Sequence, residues 1–239
     1  APKVQRVVIR NIKDSSQRLA ALKAGEIHGM EGLNPDDVKV VRADANLQII
    51  LRPTNTTGYV ALNYKVKEFQ DKRVRQAIAH AVNKKGIVDA LYGGTGMVAS
   101  QFQPPPLWGY NKDLKDFEYN PQRARDLLKE AGFAQGLKDI TWEDGRKEPL
   151  QFWYMPVSRP YYPNPKEIAE AMAADLAKAG ITVQLQTTDW AVYLDKRKNG
   201  QLPLYMLGWT GDNGDPDNFV CYFFCNPGAS REGFYANQQ

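Results

Sequence analysis

The second half of the chain alternates between extended and helical patterns, and this alternation constrains the fold more than any other feature. The patterns predict a strand at 150–155, a helix at 166–179, a strand at 181–186, a helix at 189–198 and a final strand at 202–207. Helices that follow strands in this way cover the faces of a sheet. We therefore expect an α/β fold.

The first half is less regular. Extended patterns predict strands at 4–10, 47–51 and 58–64. Helices are predicted at 15–24, after Asp14 as a cap, then around 74–82, at 83–92 and at 120–132. The first half therefore also contains both strands and helices, which is consistent with the α/β class.

Composition excludes several classes of function. The chain has 239 residues, of which 43% are hydrophobic and 24% charged, and its net charge is +4. The basic residues are scattered, so we expect no nucleic-acid partner. No apolar run approaches the length of a membrane span, and no signal peptide is visible, so the sequence reads as mature or excised protein.

Residues 208–219 form a polar stretch directly after the last predicted strand. The stretch holds three carboxylates, Asp212, Asp215 and Asp217, together with three glycines and Trp209. Turn formation alone explains such residues. A calcium loop is also conceivable, but the spacing departs from that pattern at the third ligand and at the glycine. A loop at the carboxyl end of a strand is a favoured ligand position, which keeps a binding role open.

The cysteines and histidines indicate neither a metal site nor nucleophilic catalysis. Cys221 and Cys225 are four residues apart, so we expect free thiols or a local pair, and no metal site. His28 and His80 stand alone, and no nucleophile motif is present. The proline-rich stretch at 104–110 is either a packed surface arm or a ligand for a partner module.

A second polar loop follows the strand predicted at 150–155. In it Arg159 lies next to prolines and Tyr161, a setting that suits a planar anion such as a carboxylate. Pairing with a surface acid is the common alternative. If both strand-end loops face one crevice, Arg159 and Asp212 offer opposite charges to a zwitterion.

At this point several stretches together resemble one family. The stretches lie at 16–27, 72–84, 105–110, 127–132, 159–161 and 208–219. In this order they are similar to the peptide-binding members of the family 5 extracytoplasmic solute-binding proteins of ABC transporters, above all the dipeptide-binding proteins. The resemblance implies a type II periplasmic-binding-protein-like lobe with a mixed β-sheet flanked by helices.

The resemblance also implies a binding site without catalytic residues, metal or cofactor. In dipeptide binders of this family the acid at the position of Asp212 pairs with the ligand's α-amino group. The arginine at the position of Arg159 pairs with its α-carboxylate. By position, the ligand-lining group is further expected to include Trp209, Thr210, Gly211, Tyr161 and Trp190.

A protein of this kind is a monomeric Venus-flytrap receptor in the periplasm or outside the cytoplasm, in some cases anchored as a lipoprotein. It closes on a dipeptide or short peptide and delivers it to the membrane permease of an ABC importer. Other ligands within the same family are glutathione, haem, nickel or longer peptides. Outside the family, a hydrolase using Asp212 with Asp215 or Asp217 is the alternative.

Family members are about twice as long as this chain, and this sets the expected domain organisation. Residues 1–56 are expected to belong near the hinge or with the companion lobe, and 57–239 to form the ligand-binding lobe, incomplete at its C-terminal end. The stretch 141–149 reads as an inserted surface hairpin. Since closure of two lobes buries the ligand, we expect the isolated chain to bind dipeptides weakly or not at all.

Overall fold

The computed structural model describes residues 3–225, and the chain divides into two units, Ala1–Ile50 and Leu51–Gln239. In the first unit, helix α1 (Ser15–Lys23) begins where the Asp14 carboxylate accepts a hydrogen bond from the Gln17 amide at 2.8 Å. A short 3₁₀ turn and helix α2 (Val38–Ala43) follow. The helix predicted at 15–24 is confirmed.

The strands predicted at 4–10 and 47–51 are wrong, because neither stretch is paired with another strand in the described part of the chain. Most of their apolar side chains are exposed, with Ile9 at 92% and Ile50 at 75% of full accessibility. An extended segment becomes a strand only when a neighbouring strand takes up its backbone hydrogen bonds. Propensity alone does not provide that neighbour.

The second unit contains the sheet elements. Its described strands are β1 (Thr56–Leu62), β2 (Asp139–Thr141), β3 (Lys147–Pro149), β4 (Gln151–Trp153), β5 (Gln184–Gln186) and β6 (Leu204–Thr210). Its described helices are α3 (Lys67–Gln70), α4 (Lys72–Ala81), α5 (Lys84–Leu91), α6 (Pro121–Glu130), α7 (Pro165–Lys178), α8 (Trp190–Lys198) and α9 (Cys221–Phe224). Strand and helix alternate from β4 to β6, as predicted.

Four of these strands form one mixed sheet in the order β1-β6-β4-β5. The central pair β6 and β4 is parallel, as is β4 with β5, whereas β1 runs antiparallel to β6. Because β4 and β6 are parallel neighbours, the loops that leave their carboxyl ends emerge at the same edge of the sheet. The sheet, together with the helices around it, confirms the predicted α/β architecture.

A buried apolar cluster joins the helices to the sheet. Phe152 of β4, Leu204 and Met206 of β6, Leu128 of α6 and Ile168 of α7 are all at most 1% exposed. Burying a side chain of this size contributes about 1.5–3 kcal/mol. This cluster fixes the strand ends from which the polar loops depart.

Capping residues define where the helices begin. Asn120 accepts a hydrogen bond from the Arg123 amide, and Pro121 occupies the first helical position of α6. Asp189 does the same for the amide of Ala191 at the start of α8. The latter cap places Trp190 as the first residue of that helix.

The final strand is longer than predicted. Leu204–Thr210 is a strand, so Gly208, Trp209 and Thr210 belong to β6 and not to the loop. Their antiparallel pairing with β1 explains the extension, since each finds a partner in register, such as Gly58 for Gly208. The hairpin predicted at 141–149 is confirmed, because β2 and β3 pair antiparallel around a turn at Gly145.

Candidate functional site

An open cavity of about 370 Å³ lies where the loops after β4 and β6 meet helix α8. The residues that line it come from distant parts of the sequence: Tyr59, Arg159, Pro160, Tyr161, Trp190, Leu194, Arg197, Leu207, Gly208, Trp209, Thr210, Asp212, Tyr222 and Phe223. The structure therefore brings together six of the seven residues expected at the ligand site. The seventh, Gly211, is not among the lining residues.

Arg159 lies in a tight turn. Its amide donates to the Tyr162 carbonyl and the Tyr162 amide donates back to the Arg159 carbonyl, both at 3.0 Å. The guanidinium carbon lies 5.0 Å from the centre of the Trp190 ring, within the range of a cation–π contact. Within residues 3–225 the guanidinium makes no hydrogen bond or ion pair to a protein side chain, so its donors are available to an anion.

Asp212 follows β6 directly, and its side chain is exposed. Its amide donates to the side-chain oxygen of Asn218 at 3.2 Å, which fixes the start of the loop. The carboxylate has no hydrogen-bond or ion-pair partner among the described residues. It therefore contributes an uncompensated negative charge to the same cavity that Arg159 lines.

The rest of the acidic loop is a turn. The Asp215 carboxylate accepts from the Asp217 amide at 2.9 Å, and Pro216–Asn218 form a 3₁₀ turn. The expectation that turn residues dominate this stretch therefore holds for Asp215, which caps the turn.

Trp209 is held by two kinds of contact. Its indole nitrogen donates to the same oxygen of Asn218 at 3.0 Å, and its ring stacks on Tyr222 with centroids 4.5 Å apart. Phe223 meets the indole edge-on at 5.2 Å. These contacts hold Trp209 as one wall of the cavity.

A second wall is formed by Tyr161. Its ring is packed against Gly208, where an added Cβ would lie 2.3 Å from two ring carbons. The Tyr161 carbonyl accepts a hydrogen bond from the Tyr92 hydroxyl at 2.8 Å, and burial raises the pKa of Tyr92. Gly58, paired with Gly208 across the sheet, leaves room for the Tyr161 carbonyl and the Tyr162 ring.

Trp190 lies at the start of α8 and stacks on Tyr193 with centroids 5.7 Å apart. The Tyr193 hydroxyl donates to the Met206 carbonyl of β6 at 2.6 Å, which ties α8 to the sheet. Through these contacts the sheet sets the position of the ring on which Arg159 rests.

Two of the expected lining residues contribute differently from the others. Thr210 lines the cavity and shares a hydrogen bond of 3.1 Å with Thr56 across β1 and β6. Gly211 is buried: its amide donates to the Asn55 carbonyl at 2.8 Å, and an added Cβ would meet Phe219 at 2.6 Å. Gly211 thus packs behind the cavity.

Several residues that line the cavity are not among those predicted from the sequence. Leu194 and Arg197 share a helix face with Trp190 at spacings of four and seven, a signal that was present in the sequence. Tyr222 and Phe223 lie between the two cysteines, which form a disulfide in the structure. Of the two states that the sequence leaves open for Cys221 and Cys225, free thiols or a local pair, the structure has the pair.

Metal ligands and membrane-spanning helices are not found in the described part of the chain. Residues 3–225 contain no group of three or more His, Cys, Asp or Glu side chains placed to hold a metal ion. Within the same residues, no helix has the length and apolar character needed to cross a bilayer.

Comparison with known sequences finds a matching family model and several relatives. The family model described as bacterial extracellular solute-binding proteins, family 5 Middle, matches residues 1–231. The dipeptide-binding protein of Escherichia coli K12 is 39% identical over 97% of this chain, and the heme-binding protein A of Haemophilus influenzae is 37% identical over 91%. The chain spans 41% and 38% of their respective lengths.

Structural comparison leads to the same group. The dipeptide binding protein from Pseudoalteromonas sp. SM9913, solved in complex with Met-Leu, superposes with a TM-score of 0.74 at 29% sequence identity. The match covers 88% of this chain and 39% of that protein. The two chains share their fold over nearly all of the present sequence.

Proposed function

Because the chain belongs to the bacterial extracellular solute-binding proteins of family 5, we propose that it is the ligand-binding part of a peptide receptor for an ABC importer. In this proposal the cavity at the sheet edge captures a dipeptide. Asp212 pairs with the α-amino group of the ligand and Arg159 with its α-carboxylate.

One observation carries the proposal. Arg159 and Asp212 line the same cavity, and neither charged group has a hydrogen-bond or ion-pair partner within residues 3–225. A ligand that bears both an ammonium group and a carboxylate satisfies the two at once. Charge-assisted hydrogen bonds of this kind strengthen when water is excluded.

The remaining lining suits a short peptide. Trp209, Tyr161 and Trp190 provide aromatic surface beside the two charges, which covers the backbone and side chains of a ligand without selecting one polar group. Similar proteins are named for dipeptides, and one was solved with Met-Leu. A family relative is named for haem, so the ligand class is the first point to test.

We propose that residues 1–56 belong with a companion lobe near the hinge and that 57–239 form the ligand-binding lobe. A monomeric receptor outside the cytoplasm would close around the dipeptide and present it to the membrane permease, with the peptide chemically unchanged.

The test is calorimetric titration of the full-length protein with Ala-Phe and with its two terminally blocked forms, N-acetyl-Ala-Phe and Ala-Phe-amide. Each blocked peptide should lose about 2–5 kcal/mol of binding free energy, because one charge of the receptor is then covered by the ligand without being paired. Equal affinity for all three peptides would refute the two-ended recognition.

A variant of Asp212 tests whether this residue binds the amino end of the dipeptide. Asp212→Asn should weaken Ala-Phe but make little further difference to N-acetyl-Ala-Phe, since that peptide has no ammonium group to lose. Asp217→Asn removes a carboxylate from the same loop outside the cavity lining and serves as the matched control. Mass spectrometry of small molecules released from the purified protein, and of Ala-Phe after incubation, checks the ligand class and the absence of hydrolysis.

A further inference from the structure

We propose that Asn55 is a positioning residue, which orients the Asp212 carboxylate towards the ammonium group of a dipeptide. The inference rests on the proposed function and adds a residue that is not among the described residues lining the cavity. Asn55 lies directly before strand β1 and far from Asp212 in the sequence. The pairing of β1 with β6 brings the two residues together.

The peptide unit between Gly211 and Asp212 is held at both of its polar ends. The side-chain nitrogen of Asn55 donates a hydrogen bond to the Gly211 carbonyl. The Asp212 amide donates to the side-chain oxygen of Asn218 at 3.2 Å. Rotation of this peptide unit would break both bonds, so the two asparagines fix the backbone from which the Asp212 side chain departs.

Asn55 also binds Gly211 through its main chain. The Asn55 carbonyl accepts from the Gly211 amide at 2.8 Å, which continues the antiparallel pairing that places Thr56 opposite Thr210. A substitution of the Asn55 side chain leaves this main-chain contact in place and removes the bond to the Gly211 carbonyl. We therefore expect β1 and β6 to remain paired in variants of residue 55.

Close packing around Gly211 limits how the loop can shift. A Cβ at this position would lie 2.6 Å from a ring carbon of Phe219 and 3.2 Å from the side-chain nitrogen of Asn55. Phe219 is fully buried and meets the Phe102 ring edge-on, with ring centres 5.8 Å apart. Because Gly211 has no side chain, Asn55 and Phe219 can both approach it closely.

The Asp212 side chain depends on this support. It is exposed, and its carboxylate has no hydrogen-bond or ion-pair partner among the described residues. Pairing such a group with a ligand costs the conformational entropy of the side chain and of the loop that carries it. A backbone that is already oriented reduces this cost, so Asn55 raises the affinity of those ligands that bring a free ammonium group.

The experiment is calorimetric titration of the full-length protein and of Asn55→Ala with Ala-Phe and with N-acetyl-Ala-Phe. Ala-Phe should bind about tenfold more weakly to the variant, the effect of one lost positioning hydrogen bond. The affinity for N-acetyl-Ala-Phe should change little, because that peptide has no ammonium group for Asp212 to meet. Asn55→Gln keeps an amide donor and should recover part of the loss for Ala-Phe.

Asn213→Ala is the matched control. The Asn213 side chain accepts a hydrogen bond from the Asp215 amide at 3.0 Å, in the same loop but on the other side of Asp212. It is not among the described residues that line the cavity. This variant should leave the ratio of the two affinities unchanged. Melting temperatures show whether each variant is folded, and Asn55→Leu, which keeps a branched side chain without a donor, replaces Asn55→Ala if that variant is not.

Three results would overturn the inference: equal weakening of both peptides in Asn55→Ala, unchanged affinity for Ala-Phe in that variant, or a change of the ratio in Asn213→Ala as large as in Asn55→Ala. Failure of the proposed function has a different signature. In that case the unmodified protein itself binds Ala-Phe and N-acetyl-Ala-Phe equally.

Discussion

Tyr161 and Gly208 are in such close contact that no side chain fits at residue 208. A Cβ built there would lie 2.3 Å from the Cγ and Cδ2 atoms of the tyrosine ring. Gly58 faces Gly208 across the β1–β6 pair and would likewise crowd the Tyr161 carbonyl at 3.1 Å. Two opposed glycines thus create the slot in which the Tyr161 wall of the cavity is seated.

We expect Gly208→Ala to displace Tyr161 and weaken dipeptide binding at least tenfold. Overpacking of this kind also costs about 1–3 kcal/mol of stability. Calorimetric titration and urea unfolding measure the two effects separately. Gly29→Ala is the control, since a Cβ at Gly29 meets nothing within 4 Å. Unchanged affinity in Gly208→Ala would show that the ring position does not matter for the ligand.

Arg159→Met tests the anionic end of the site. We expect a loss of several kcal/mol in the binding free energy of Ala-Phe, because the ligand carboxylate is then buried without a partner. Arg159→Lys should recover only part of the loss, since an ammonium group lacks the planar pair of donors. Titration of both variants by calorimetry gives the free energies directly.

Arg146 offers a close control for that experiment. Its guanidinium lies 4.9 Å from the Trp142 ring centre, nearly the same contact that Arg159 makes with Trp190, but in the β2–β3 hairpin. Arg146→Met removes a stacked arginine without touching the cavity lining. An equal loss of affinity in both methionine variants would assign the effect to net charge alone.

Local sequence patterns determine one part of this fold, and strand pairing determines the rest. The alternation at 150–207 predicts the sheet correctly, because each of these elements buries an apolar face whatever its neighbours are. The strands predicted at 4–10 and 47–51 fail since extended propensity does not create a pairing partner. The extension of β6 through Thr210 could not be predicted for the same reason, because it depends on pairing with β1.

The two charged residues of the site could be predicted from the sequence. Arg159 and Asp212 follow strands in the predicted α/β sheet, so their convergence could be anticipated without coordinates. The family resemblance places Gly211 in the ligand-lining group by position, whereas the turn of the chain after β6 directs it towards Asn55 and Phe219. Asn218 reads as a turn residue in the sequence, and its contacts appear only in three dimensions.

We expect the stability of the folded protein to fall at alkaline pH because of Tyr92. Burial raises the pKa of the Tyr92 phenol above its ordinary value of 10.0. The folded state therefore favours the neutral phenol, and this contribution is complete below pH 10 and lost as pH rises through the folded-state pKa. We expect the melting temperature to fall less between pH 9 and pH 11 in Tyr92→Phe than in the parent protein.

That comparison is made by differential scanning calorimetry at matched ionic strength. Below pH 9 the variant should be the less stable of the two by about 1 kcal/mol, because the Tyr161 carbonyl loses the hydrogen bond from Tyr92. Parallel pH profiles for the two proteins would exclude Tyr92 as the titrating group.

Asn218 joins the aromatic wall to the acidic loop through one oxygen, which accepts from the Trp209 indole at 3.0 Å and from the Asp212 amide at 3.2 Å. We expect Asn218→Ala to lower dipeptide affinity about tenfold, since both groups lose a positioning contact worth about 1 kcal/mol. Asn218→Asp keeps an acceptor of the same shape and should retain more of the Trp209 contact, visible as a smaller change in Trp fluorescence. Equal fluorescence changes in the alanine and aspartate variants would show that stacking on Tyr222 alone holds the indole.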